Sequence, residues 1–317
     1  MYVIGCRVLI SSNPYLLSRE GGYPKAGNMK DKPQGARHAL ARNLRLRSRK
    51  KARPSRYVKL CVLGAPGVGK STLLDEYLKG RADGRRAIYT PDSIKRSVVA
   101  LMAKTHGSVW QRFLCWAMIN VPARRMADLS IAYGFRQCAK REYRRGLRGY
   151  GEMLDLAWRG FELKIRPTAN RIAVTSFLHR IAQEEILIDS ARLPETVIFD
   201  DSLWQCIYGA RETIGPMADR AAFVARLPRP DGVIYCAHDL ETVCERIFER
   251  AQNGRLNTVH QGLSREEIRQ MAKDDLDNAR FKADILRESG VPVCELDLSE
   301  PRAALLARLD EFVRTFE

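Results

Sequence analysis

YVKLCVLGAPGVGKSTLLDEYLKG, Tyr57–Gly80, is the stretch that decides the fold of this chain. Val58–Leu63 is short, mostly apolar and β-favouring, and predicts a buried strand. Gly64, Ala65, Pro66, Gly67, Val68, Gly69, Lys70 and Ser71 then fit G-x-x-x-x-G-K-[ST] at every fixed position, and Thr72 follows. Ser71–Lys79 places Leu73, Leu74, Tyr77 and Leu78 on one helical face, and Gly80 is placed to stop the helix. Glycines let a backbone wrap an anion without Cβ clashes, and a helix N-terminus adds partial positive charge. The stretch therefore predicts a phosphate cradle: Lys70 reaches the β- and γ-phosphates of a nucleotide and the Ser71 hydroxyl ligates Mg²⁺.

Working outward, short β-favouring runs alternate with helical patterns. Residues 86–90, 196–200, 232–236 and 291–298 predict four further strands, Glu241–Arg250 a helix, and Ala303–Phe316 a closing amphipathic helix. This alternation predicts an α/β fold of three layers, a parallel sheet with helices on both faces. Ligands of such sheets sit at the carboxyl ends of the strands. The phosphate loop, Thr90-Pro91-Asp92 and Asp200-Asp201 all fall at such ends. Residues 93–190 are largely helical in pattern and form a helical insertion on the acceptor side. Between 122 and 149 they carry eight basic side chains against Asp128 and Glu142, either a solvated face or a basic rim for an acidic substrate.

Charge divides the chain in two. Residues 1–56 hold 14 Lys/Arg against 2 Asp/Glu, a net +12 of the chain's +17, and read as a disordered basic tail before a mildly basic body at 57–317. That tail is either solvated or a weak contact for nucleic acid or an anionic surface. There is no run of 18 apolar residues, hence no expected membrane span. The start lacks the basic region of a secretory leader. Eight cysteines at 6, 61, 115, 138, 206, 236, 244 and 294 form no C-x-x-C pair. A reduced, cytoplasmic protein without a zinc site is the expectation.

An acidic group near Mg²⁺ and the attacking oxygen must accompany a phosphate loop. Asp200 fills that place, either as a Mg²⁺ ligand through water or as acceptor of a substrate proton. The alternative is that Asp200 and Asp201 only cap a helix beginning near Ser202. Arg246 and Arg250, with Arg255, Arg265 and Arg269 beyond them, stand where arginines close over a nucleotide and stabilise a transferred phosphoryl group. Their other reading is i,i+4 pairing with Asp239, Glu241 or Glu245.

GAPGVGKST after the first strand, VIFDDS (197–202) at the end of the third, and PDGVIYCAHDLETVCERIFER (230–250) together resemble the thymidylate kinase and deoxynucleoside kinase group of phosphate-loop kinases over about 57–317, the insert excluded. The resemblance implies a P-loop NTPase fold with a five-stranded core, a lid-like region at 246–280, and transfer of the ATP γ-phosphoryl with Mg²⁺ to an acceptor. It also implies nucleotide contacts from Gly64 through Thr72 and catalytic roles for Lys70, Asp200, Asp92, Arg246 and Arg250. Two positions depart from the group: Asp201 replaces an arginine, and Thr90-Pro91-Asp92 stands where Glu-Pro is usual. Asp92 is the candidate to replace that glutamate.

Three functions follow. The first is a small-molecule kinase with ATP, Mg²⁺ and an acceptor hydroxyl or phosphate. The second is a regulatory or mechanical NTPase hydrolysing ATP or GTP, with TVIFDD as its acidic strand. The third is a nucleotide-dependent nucleic-acid-binding protein that uses the basic tail.

Overall fold

Six residues, Val58–Leu63, form the central strand β1. The computed structural model describes residues 58–80, 88–90, 98, 146, 149–160, 162, 168–191, 195–254 and 260–316. The basic tail, Asp92, Arg255 and most of 93–149 lie outside them.

β1 leads through the glycine-rich loop into α1 (Lys70–Gly80). Then come β2 (Ile88–Tyr89), α2 (Thr168–Ala191), β3 (Thr196–Phe199) and two short helices, α3 (Ala210–Thr213) and α4 (Arg220–Val224). β4 (Gly232–Ala237), α5 (Leu240–Gln252), α6 (Arg265–Glu288), β5 (Val293–Asp297) and α7 (Arg302–Arg314) complete the order. A further helical segment runs over 149–160.

The sheet is parallel throughout, in the order β2-β3-β1-β4-β5. Four strands span four to six residues, and β2 contributes two residues at the edge beside Thr196 and Val197. β1 pairs with β3 from Val58↔Thr196 and with β4 from Leu60↔Gly232. From β1 the chain builds one side of the sheet and later crosses to the other, so a crevice opens at the carboxyl end of β1. Such a switch point is where open α/β sheets take their ligands.

The period of two in each strand sorts side chains into two cores. Leu60, Val62, Ile234, Cys236 and Leu296 face α1, α5 and α7 through Leu73, Leu74, Val243, Ile247, Leu305 and Leu309. Leu63, Val233 and Tyr235 face the other way, onto α2, the 149–160 helix and the second half of α6 through Met153, Ile181, Ile186, Ala283 and Leu286. The last part of the helical stretch read over 93–190 thus packs directly under the sheet. Cys61, Cys236 and Cys294 are buried free thiols.

One charged side chain interrupts this apolar pattern. Lys59, the second residue of β1, is 1% exposed. Its Nζ meets Glu185 Oε2 of α2 at 2.5 Å, and the Tyr150 hydroxyl lies 3.3 Å away. The rings of Tyr150 and Phe199 flank the ammonium at 5.5 and 5.4 Å. Tyr150 in turn donates to Asp189, and burial holds its phenol well above the usual range. A charge so far from water persists only where such partners replace its hydration.

Candidate nucleotide-binding site

Close packing, as well as anion geometry, calls for the glycines of the loop. A Cβ on Gly64 would lie 2.8 Å from the Cys236 carbonyl oxygen on β4. One on Gly67 would lie 3.2 Å from the Val243 carbonyl oxygen on α5. Gly67 and Gly69 adopt φ of 89° and 112°, where L side chains are strained. The loop closes on itself through Val68 N–H to the Ala65 carbonyl at 3.2 Å, and Leu73 N–H to the Gly69 carbonyl at 3.1 Å opens α1.

Lys70 stands at the first position of α1 and folds back over the loop. Its ammonium donates to the Gly64 and Ala65 carbonyls at 2.7 and 3.0 Å. Burial lowers its pKa, opposed by the Cys236 thiol and the carboxylates of Asp201, Asp275 and Asp200. Ser71 and Thr72 follow on the exposed side of the helix start.

The stretch after β3 comes to the same place. Asp201 N–H donates to Asp200 Oδ1 at 3.0 Å. Burial and then the charge of Asp200 raise the Asp201 pKa, with Lys70 acting in opposition. No α-helix begins at Ser202; the chain makes turns through Ser202–Tyr208 instead. Those turns put Gln205 against the phosphate loop. Its Oε1 accepts from Gly64 N–H at 3.2 Å while its Nε2 donates to the Gly64 carbonyl at 2.8 Å. Glu185 accepts from Leu203 N–H, so the buried Lys59 pair also anchors this segment. Lys282 of α6, 3% exposed, donates to the carbonyls of Gln205 and Ile207 at 3.1 and 3.4 Å.

On the other flank, Arg246 of α5 donates through Nη1 to the Val68 carbonyl at 2.6 Å. A Cβ on Gly69 would come within 3.2 Å of that nitrogen, so this glycine leaves room for the guanidinium against the loop. Arg246 and Arg250 line a cavity of about 430 Å³ with Gly69, Thr72, Leu298 and Arg302. Arg302 bonds Glu76 through Nε, and its Nη2 is buried without a hydrogen-bond partner. Three guanidiniums around one cleft suit an aromatic or anionic ligand.

The structure thus sets the Lys70 loop and the Asp200-Asp201 pair at the carboxyl ends of the neighbouring strands β1 and β3. It puts Arg246 and Arg250 beside the loop on the α5 side, lining a separate cleft with Thr72. The glycine cradle, the ammonium over it and the cationic cleft fit a nucleotide: Gly64–Thr72 would hold its phosphates, and Ser71 with Asp200 would hold Mg²⁺. Among the described residues no cluster of three or more His, Cys, Asp or Glu forms a metal site by itself. Mg²⁺ typically takes one or two protein ligands alongside substrate phosphates.

Gln205, Glu185 and Lys282 are contributions that sequence reasoning missed. Only Lys59 left a legible signal, as a lone charge inside a buried strand. The contact between Gln205 and Gly64 spans 141 positions and leaves no local trace.

No protein-family model matches the chain, nor does any curated protein. The chain is similar to several solved structures at low identity. TT1252 of Thermus thermophilus matches at 15% identity and TM-score 0.33, over 82% of this chain and 97% of that one. A kinase candidate of Chloroflexus aurantiacus matches at 14% and 0.29, over 81% and 98%. EHV4-TK, solved with TP5A, matches at 15% and 0.27, over 80% and 89%. The likeness lies in the course of the chain alone.

Proposed function

We propose that this protein is an ATP-dependent phosphotransferase acting on a small-molecule hydroxyl or phosphate. The observation that carries the reading is that the loop bearing Lys70 and the acids Asp200 and Asp201 leave the carboxyl ends of the paired parallel strands β1 and β3. A cradle with only a lysine binds phosphate. A cradle with a lysine and a facing carboxylate can also take a proton from the attacking group.

Lys70 neutralises the phosphate oxygens nearest the transferred group, and its present carbonyl partners keep it aimed across the loop. Asp200 or Asp201 would accept the proton of an acceptor hydroxyl, and Asp200 with Ser71 would hold the metal. When bound, Mg²⁺ supplies charge neutralisation between the β- and γ-phosphates. Arg246 and Arg250 hold the nucleotide from the α5 side, where a guanidinium can stack on the base. Gln205 fixes the first glycine and so fixes the height of the cradle beneath the phosphates.

The test is transfer from ATP labelled at the γ-phosphate to a panel of hydroxylated and phosphorylated metabolites. The expected result is labelled product with at least one acceptor, lost in Lys70→Ala while the fold persists by circular dichroism. Label appearing only as inorganic phosphate across the panel, and rising with a protein partner, would assign the chain to the hydrolysing NTPases.

A further inference from the structure

His238 follows β4 directly, and its side chain is 7% exposed. The ring lies between two charged neighbours. Its Nδ1 is 2.6 Å from Asp239 Oδ2, and its Nε2 is 3.4 Å from Arg246 Nη2. The other nitrogen of the same guanidinium donates to the Val68 carbonyl of the phosphate loop. A guanidinium has no acceptor, so Nε2 must present its lone pair to Arg246. The Asp239 N–H also lies 2.9 Å from Nδ1, but a nitrogen and a carboxylate oxygen 2.6 Å apart need a proton between them, so in the neutral ring the proton sits on Nδ1, toward Asp239 Oδ2. Asp239 is itself held, since its Oδ1 accepts from Thr242 N–H at 2.8 Å as the N-cap of α5.

Resting on the reading of Gly64–Ser71 as a nucleotide site, we infer that His238 is a positioning residue that holds Arg246 on the phosphate loop only while the imidazole is neutral. Protonation turns Nε2 from acceptor to donor and sets a cation against the guanidinium. The charged groups around the ring among the described residues are Asp239 beside it, Arg246 on α5 and Asp297 at the end of β5. Arg246 is the group that protonation displaces.

The test measures ATP·Mg²⁺ affinity between pH 8 and pH 5.5 for the full chain, His238→Gln and Arg246→Met. A glutamine offers an amide oxygen to Arg246 and does not titrate. Dividing wild-type affinity by His238→Gln affinity at each pH also cancels the titration of the nucleotide's own phosphate. The ratio is expected to fall between about twofold and tenfold as pH drops, the worth of one hydrogen bond. Arg246→Met keeps the imidazole but has no guanidinium to release, so its profile should run parallel to that of His238→Gln. If His238→Gln does not fold, wild type against Arg246→Met gives the same ratio. A ratio independent of pH, with wild type binding normally, would overturn the role of His238 alone. Absence of nucleotide binding by wild type at every pH would overturn both this role and the site.

Discussion

Lys282 shows how single residues are tied to the site from outside it. It is a buried cation that donates to two backbone carbonyls. Burial lowers its pKa to about 8, although Asp275 on the same helix acts to raise it. In the unfolded chain the group titrates near 10.5, so between these values the unfolded state binds more protons than the folded one. Stability from this residue therefore rises with pH across that window and is constant below it. Wild type should gain on Lys282→Met by on the order of 3 kcal/mol from pH 8 to pH 10.5, read from urea midpoints. A difference that stays level over this range would show that the ammonium is better solvated than its position implies. Gln205 belongs to the same scale. It has no charge and no motif, yet it brackets both backbone groups of Gly64.

At the scale of elements, the turn after β3 is held from three sides. Glu185 of α2 takes the Leu203 amide, Lys282 of α6 takes two carbonyls, and Gln205 reaches β1's outgoing loop. Lys59 and Glu185 join β1 to α2 beneath it. Buried pairs of this kind cost much to break and little to replace. Lys59→Met alone should lower stability by about 3–5 kcal/mol, because it strands the Glu185 carboxylate. The Lys59→Met/Glu185→Gln double variant keeps an acceptor for Leu203 and should recover most of that loss. A double variant as unstable as the sum of its singles would deny the coupling. The first strand, its loop and α1 were legible from sequence because their signal is local: an apolar run, fixed glycine spacing, then a 3.6-residue period. The position of strand three was legible as well. The alternative in which Asp200 and Asp201 cap a helix near Ser202 does not hold, because contacts from Glu185 and Lys282 keep that segment in turns.

At the scale of the molecule, the parallel order β2-β3-β1-β4-β5 decides which loops meet. It puts β3 and β4 on either side of β1, so acids arrive from one flank and arginines from the other. Sequence alternation predicted the parallel sheet and the crevice at its carboxyl end. It did not predict that Arg246 would rest on the outer side of the phosphate loop, because that contact crosses 178 positions. Asp92, Arg255 and the basic tail fall outside the described residues. The central claim concerns the cradle, and calorimetric titration of the full chain with ATP·Mg²⁺ tests it most directly, beside Lys70→Ala. Wild type should bind at one site, and the variant at least about tenfold more weakly, as expected for loss of a charge-assisted contact. Equal affinity in the two proteins, or no binding by wild type, would contradict the account.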